Sequence, residues 1–273
     1  MCSASMNLKE LGNTGVMVPE IGLGTWKYRG GVEPLRRGVE LGAFLIDTAE
    51  MYRTEDVVGE AISGRRDQVF LASKVSGSHI RYDQVMNAAE ASLRRLAVDC
   101  MDLYQIHWPN NRVPIAETMR AMEELVDQKL VRYIGVSNFS IGELRQAQAA
   151  MRNHPIVCNQ VLYSLKERHI ERDLLPYCQE NHLTLMAYTP LADGSLAAKP
   201  RLRRNRGIEA LESVAAQVDK TPAQVALNWC TSHPNVIAIP KSNSLNRTEE
   251  NCGASGWRLS PQQVHMLDEA FDA

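Results

Sequence analysis

Apolar residues in this chain fall into short continuous runs, separated by longer stretches in which they recur every three or four positions. The first pattern fits buried strands and the second amphipathic helices. Eight runs read as strands, at 21–24, 44–47, 69–73, 101–106, 133–136, 156–160, 184–187 and 236–239. Between them the helical period shows in Val85, Ala89, Leu93 and Leu96, in Met119, Met122, Leu125 and Val126, and in Leu211, Val214, Ala215 and Val218. Ser140 and Ser260 stand three residues ahead of Glu143 and Gln263, the pattern of a capping box. Thr221-Pro222 reads as a cap followed by a first-turn proline. Ahead of the first run, residues 6–20 carry the turn signal Gly12-Asn13-Thr14-Gly15 between two alternating pieces and read as a β-hairpin. Eight strand–helix units without a Pro/Gly/Ser-rich linker predict an α/β protein. It is a single (β/α)8 barrel domain over residues 1–273, with the hairpin closing the bottom so that the C-terminal face stays open. A doubly wound sheet fits less well, because Gly22-Leu23-Gly24-Thr25-Trp26 lacks both a third glycine and a helix opening on it.

Composition narrows the partners. With 273 residues, 44% of them hydrophobic, the chain can bury a barrel-sized core. A net charge of −2 gives no bulk attraction to nucleic acid or to an anionic membrane. No apolar stretch approaches the roughly 18 residues of a membrane span. The one basic cluster, Arg201, Arg203, Arg204 and Arg206, reads as a solvated loop. Cys2, Cys100, Cys158, Cys178, Cys230 and Cys252 show no CxxC spacing, which points to free thiols in a reducing compartment. Residues 1–5 lack the basic flank and apolar core of a secretory signal. A cytoplasmic protein is therefore expected.

The candidate chemistry gathers at strand ends. Asp47 closes one apolar run, Tyr52 follows five residues later, Lys74 closes the next run and His107 the one after. In a parallel barrel such positions converge on one face. A phenol with a pKa of about 10 is a poor acid at neutral pH unless its anion is stabilised. A lysine beside it would favour the phenolate, Asp47 would keep that lysine charged, and His107 would polarise a substrate oxygen. Taken singly, Tyr52 reads equally as a capping aromatic, Asp47 and Lys74 as an ion pair, and His107 as a satisfied strand-end histidine.

Three motif regions in order carry a resemblance. They are Asp47-Thr48-Ala49-Glu50-Met51-Tyr52 with its flanks, Tyr104-Gln105-Ile106-His107-Trp108-Pro109, and Ile239-Pro240-Lys241-Ser242 followed by Arg247, Glu250 and Asn251. Together they resemble the aldo-keto reductase family over almost the whole chain. The resemblance implies catalysis by Tyr52, Lys74, Asp47 and His107 in an NADP-dependent oxidoreductase that moves hydride from NADPH to an aldehyde or ketone. It implies that Lys241, Ser242 and Arg247 hold the 2′-phosphate of NADPH, with Asn243, Glu250 and Asn251 around the adenosine. Ser137, Asn138 and Gln160, read as ending the fifth and sixth strands, would bind the carboxamide. Tyr188 would stack on the nicotinamide, with Thr25 and Leu191 as further cofactor contacts. Trp26 and Trp108 would line an open, shallow substrate pocket. A monomer acting on a small-molecule carbonyl compound is expected, with neither a nucleic acid nor a membrane as partner. Trp229 reads as core, while Trp257 and His79 could lie at the pocket or away from it. Two other readings compete: an NADPH-binding regulatory or sensor protein of the same fold with negligible turnover, and a phosphate-handling barrel of another reaction class.

Overall fold

The computed structural model describes residues 5–197 and 205–271. A hairpin of β1 (Leu8–Glu10) and β2 (Met17–Pro19) precedes eight parallel strands. These are β3 (Leu23–Gly24), β4 (Leu45–Asp47), β5 (Phe70–Val75), β6 (Met101–Ile106), β7 (Val131–Ser137), β8 (Ile156–Leu162), β9 (Thr184–Tyr188) and β10 (Val236–Ala238). The helices are α1 (Glu33–Glu40), α2 (Glu55–Ile62), α3 (Tyr82–Leu96), α4 (Ile115–Asp127), α5 (Ile141–Ala150), α6 (Leu174–Glu180), α7 (Arg206–Gln217), α8 (Pro222–Cys230), α9 (Leu245–Cys252) and α10 (Pro261–Phe271). Strands pair in chain order from β3 to β10. The ring closes where Ile21 bridges Ala238 and Gly24 bridges Lys241. Gly22 N donates to Ala238 O at 2.8 Å and Gly24 N to Pro240 O at 3.1 Å. A Cβ on Gly24 would stand 2.5 Å from Ile239 O, so the seam closes only over a glycine.

The period-two alternation of each strand decides what faces inward. Leu45, Phe70, Ala72, Leu103, Cys158, Met186 and Ile237 form one apolar cluster inside the barrel. Ile46, Leu71, Tyr104, Ile106, Val136 and Leu185 belong to a second cluster, between sheet and helices. Continuing the inward alternation toward the C-terminal ends gives Asp47, Lys74, Gln105, His107, Gln160 and Tyr188. The barrel thus passes from an apolar floor to a polar upper layer.

The hairpin seals the floor, as the sequence predicts. Leu11 and Val18, both fully buried, join the inner cluster. Burial of a side chain such as Leu11 stabilises by about 2 kcal/mol. Lys9 Nζ donates to the carbonyls of Thr231, His233 and Val236, each at 2.6 Å. Gly12 N donates to Thr184 Oγ1 at 2.7 Å, and a Cβ at Gly12 (φ +57°) would press on Val157 O at 3.0 Å.

The three N-caps form as read. Glu143 N bonds Ser140 Oγ, Gln224 N bonds Thr221 Oγ1 and Gln263 N bonds Ser260 Oγ, and each is returned by the side chain three residues on. Apart from β6, the strand bounds shift by one or two residues from the sequence reading. Strand β5 runs one residue past Lys74, and β8 runs two past Gln160, because Val161 and Leu162 continue its pairing with Ala187 and Tyr188. In the basic cluster, Arg201, Arg203 and Arg204 lie outside the described residues, and Arg206 opens α7. Trp229 is fully buried. No helix among the described residues is long and apolar enough to cross a membrane.

Candidate active site

Tyr52 ends a single turn of 3-10 helix, Glu50–Tyr52, which stops at Arg53 in the left-handed region (φ +57°). Three buried hydroxyls support this turn. Thr54 Oγ1 lies 3.0 Å from Thr25 Oγ1 and 2.9 Å from Thr48 Oγ1, and Thr25 donates to Asp47 O at 2.9 Å. The turn delivers the Tyr52 hydroxyl to 3.3 Å from Lys74 Nζ and 3.4 Å from His107 Nε2. Lys74, wholly enclosed, donates to Asp47 Oδ2 at 2.6 Å and to Thr48 O at 2.9 Å. The four residues taken from strand ends therefore meet at one point.

Burial works against the charge of Lys74, but Asp47 and Tyr52 outweigh it, so its pKa stays above the ordinary lysine value. The Tyr52 phenol comes out opposite to the sequence expectation. Burial pushes its pKa up more than Lys74 pulls it down, and Asp47 adds to the rise, so the net direction is upward. Burial and then the Lys74 charge lower the His107 pKa to about 3, so the imidazole is neutral at any ordinary pH. Its buried Nδ1 has no hydrogen-bond partner among the described residues.

A cleft of about 620 Å³ opens over this cluster. Ser137, Asn138, Gln160, Tyr188 and Leu191 line it, as do Thr25, Lys241, Arg247, Glu250 and Asn251. Tyr188 OH donates to Asn138 Oδ1 at 3.0 Å, and Asn138 Nδ2 donates to His107 O at 3.1 Å and to Ser137 Oγ at 3.0 Å. Gln160 Nε2 donates to Asp47 Oδ1 at 2.8 Å. Ser242 and Asn243 are not among the lining residues. Ser242 Oγ closes its own turn on Ser244 O at 2.9 Å, and Asn243 Oδ1 accepts from Arg29 N at 3.0 Å, joining two loops.

Trp26 and Trp108 line the cleft and are each about half exposed. They end an arc of rings: Trp26 and Tyr52 have centroids 4.9 Å apart, Tyr52 and His107 5.3 Å, His107 and Trp108 6.4 Å. Trp257 lies away from the cleft, its Nε1 donating to Gly253 O at 3.0 Å. His79 is also outside the lining and bonds Glu50.

Sequence reasoning missed several residues around this centre. Gln105 Nε2 approaches Asp47 Oδ1 at 3.4 Å, and stepping back two positions from His107 along the strand would have found it. Met51 and Lys27 also line the cleft, each adjacent to a residue that was identified.

Lys241 and Arg247 have no ion-pair partner among the described residues, and Glu249 is held instead by Arg37 Nε at 2.7 Å. Two uncommitted cations, an aromatic side and a row of amides suit a phosphate-bearing dinucleotide.

A family model described as the aldo/keto reductase family matches residues 20–272. The methylglyoxal reductase YeaE of Escherichia coli is 40% identical over 269 residues, covering 94% of this chain and 93% of that protein. The glyoxal reductase of Bacillus subtilis is 34% identical over 262 residues, covering 94% and 90%. Among solved structures, the thermostable aldo-keto reductase Tm1743 in complex with epalrestat matches with a TM-score of 0.90 at 41% identity, covering 97% of this chain and 100% of that one. The aldo/keto reductase of Klebsiella pneumoniae in complex with NADP and acetate matches with a TM-score of 0.87 at 39% identity, covering 97% and 95%.

Proposed function

The chain belongs to the aldo-keto reductase family, and on that footing we propose that it is an NADPH-dependent carbonyl reductase in which Tyr52 protonates the carbonyl oxygen. One observation carries the reading. The Tyr52 hydroxyl stands between Lys74 Nζ and His107 Nε2, at 3.3 and 3.4 Å, in a cleft also lined by Lys241 and Arg247, two cations without an ion-pair partner among the described residues.

The residues divide the work. Burial keeps the proton on Tyr52 until a basic oxygen reaches it. As that proton leaves, the Lys74 ammonium stabilises the phenolate, and Asp47 keeps Lys74 charged. Neutral His107, with Nε2 turned to the same point, offers an N–H to the substrate oxygen without adding a charge. When bound, NADPH supplies the hydride that the carbonyl carbon receives. Lys241 and Arg247 would hold its 2′-phosphate, Glu250 and Asn251 its adenosine, and Ser137, Asn138 and Gln160 its carboxamide. Tyr188 would cover one face of the ring, with Thr25 and Leu191 beside it.

Two relatives are named as reductases of methylglyoxal and glyoxal, so small α-oxoaldehydes are the first substrates to test. The experiment follows NADPH absorbance against methylglyoxal, glyoxal, an aromatic aldehyde and a simple ketone. Steady turnover with at least one supports the reading. NADPH binding without even a single turnover contradicts it.

A further inference from the structure

The turn that bears Tyr52 is tied by one carboxylate to the loop that follows β5, behind the cleft wall. Glu50 Oε2 accepts from Ser76 N at 2.9 Å, and Glu50 Oε1 lies 2.7 Å from His79 Nδ1. Residues 76–79 directly follow β5, the strand of Lys74. The same loop backs Trp108. A Cβ on Gly77 would stand 3.2 Å from Trp108 Cβ, and Gly77 O accepts from Asn110 Nδ2 at 2.7 Å. Met51, next to Glu50, and Trp108 both line the cleft and are each 49% exposed, so they form its mouth rather than its floor. Glu50 thus connects the segment carrying Met51 to the loop that packs behind Trp108.

The Tyr52 hydroxyl does not depend on this tie alone. The Thr25, Thr48 and Thr54 hydroxyls support its turn from beneath, and Lys74 and His107 face it directly. Loss of Glu50 therefore loosens the mouth more than the floor.

We propose that Glu50 is a positioning residue for substrate selection: it fixes the spacing between Met51 and Trp108, and so sets how well the cleft grips an aldehyde carrying an apolar group. The inference rests on the carbonyl-reductase reading. A small aldehyde that ends at Tyr52 and His107 does not reach the mouth and is indifferent to it.

The test compares benzaldehyde with methylglyoxal in wild type, Glu50→Ala, Glu50→Gln and His79→Ala. In Glu50→Ala the KM for benzaldehyde should rise at least fivefold with kcat within twofold, while the KM for methylglyoxal and the Kd for NADPH stay put. Glu50→Gln keeps an acceptor for Ser76 N–H and should remain within twofold of wild type. His79→Ala removes half the tie and should fall between, which serves if Glu50→Ala does not fold. An unchanged benzaldehyde KM, or equal changes for both aldehydes, overturns the proposal. If wild type reduces neither of these aldehydes, nor glyoxal or a simple ketone, the reaction assignment fails instead. The mouth is then read from the Kd of benzyl alcohol by tryptophan quenching. A fivefold weakening in Glu50→Ala supports the role, and an equal Kd overturns it.

Discussion

Lys74 and Asp47 form an ion pair of 2.6 Å from which solvent is almost entirely excluded, at 0% and 2% side-chain exposure. Such a pair is costly to break from one side, because the remaining charge stays buried. Lys74→Met should therefore destabilise the fold by about 3–5 kcal/mol, measured by urea unfolding. It should also raise the Tyr52 pKa further, since Lys74 pulls that value down. In the pH profile for alcohol oxidation, where the phenolate is the base, the required ionisation should move to higher pH. No movement would separate Lys74 from Tyr52.

Tyr52→Phe keeps the ring beside Trp26 and loses the hydroxyl. Its kcat should drop by roughly 10²–10⁴-fold, with NADPH binding retained by fluorescence titration. A variant keeping half the wild-type kcat, under conditions where chemistry limits turnover, would remove Tyr52 from the proton path.

His107 gives a pH prediction with a defined sign. Its folded pKa is about 3, below the ordinary histidine value of 6.5. Between those two values the unfolded chain binds a proton that the folded chain does not, so stability rises with pH across the window and falls on acidification. Urea unfolding at pH 5 and pH 7 should show a smaller difference in His107→Phe than in wild type. In wild type, the His107 resonances should not titrate between pH 5 and pH 8, and a midpoint near 6.5 would contradict the buried neutral form.

Arg247 tests cofactor choice. NADPH carries a 2′-phosphate that NADH lacks, and a guanidinium can meet it with two parallel donors. Wild type should prefer NADPH at least tenfold, about 1.4 kcal/mol. Arg247→Ala should weaken NADPH strongly and leave NADH nearly unchanged, measured as two dissociation constants. Equal losses would make Arg247 a scaffold residue.

Leu11 tests the floor. Leu11→Ala empties a fully buried position in the barrel interior and should cost about 2–5 kcal/mol by chemical denaturation. The KM for substrate should not change, because the site lies at the other end.

Much of this was legible in the sequence, for identifiable reasons. Strand ends carry the chemistry in a parallel barrel, so Asp47, Lys74 and His107 stood out as polar residues closing apolar runs, and the structure brings them together with Tyr52. Helix caps are local, and both capping boxes and the Thr221 cap appear. What escaped depends on competition between terms that a sequence does not weigh. The direction of the Tyr52 pKa needed the depth of its burial set against one nearby charge. Asp47 itself raises the phenol, so Asp47→Asn should lower the Tyr52 pKa as long as Lys74 stays protonated. Gln160 breaks an apolar run and so suggests an early end to β8, although Val161 and Leu162 keep pairing. The bond from Arg29 N to the side-chain carbonyl of Asn243 joins residues 214 apart in the chain, a tie that no local pattern shows.

The hairpin that plugs the barrel has a consequence for how the chain is made. It is synthesised before every barrel strand, yet Lys9 and Gly12 are held by Thr184, Thr231, His233 and Val236, between 172 and 227 residues later. Strand β3 likewise waits for β10 to close the ring. Contacts this distant in sequence form slowly. Until the last strand leaves the ribosome, the inward faces of the early strands have no lid and two open edges. The growing chain must therefore carry an unsealed apolar trough through most of its synthesis, the interval in which it is most exposed to aggregation. A substitution that weakens the plug should lower the yield of folded protein more than it lowers the stability of the molecules that finish.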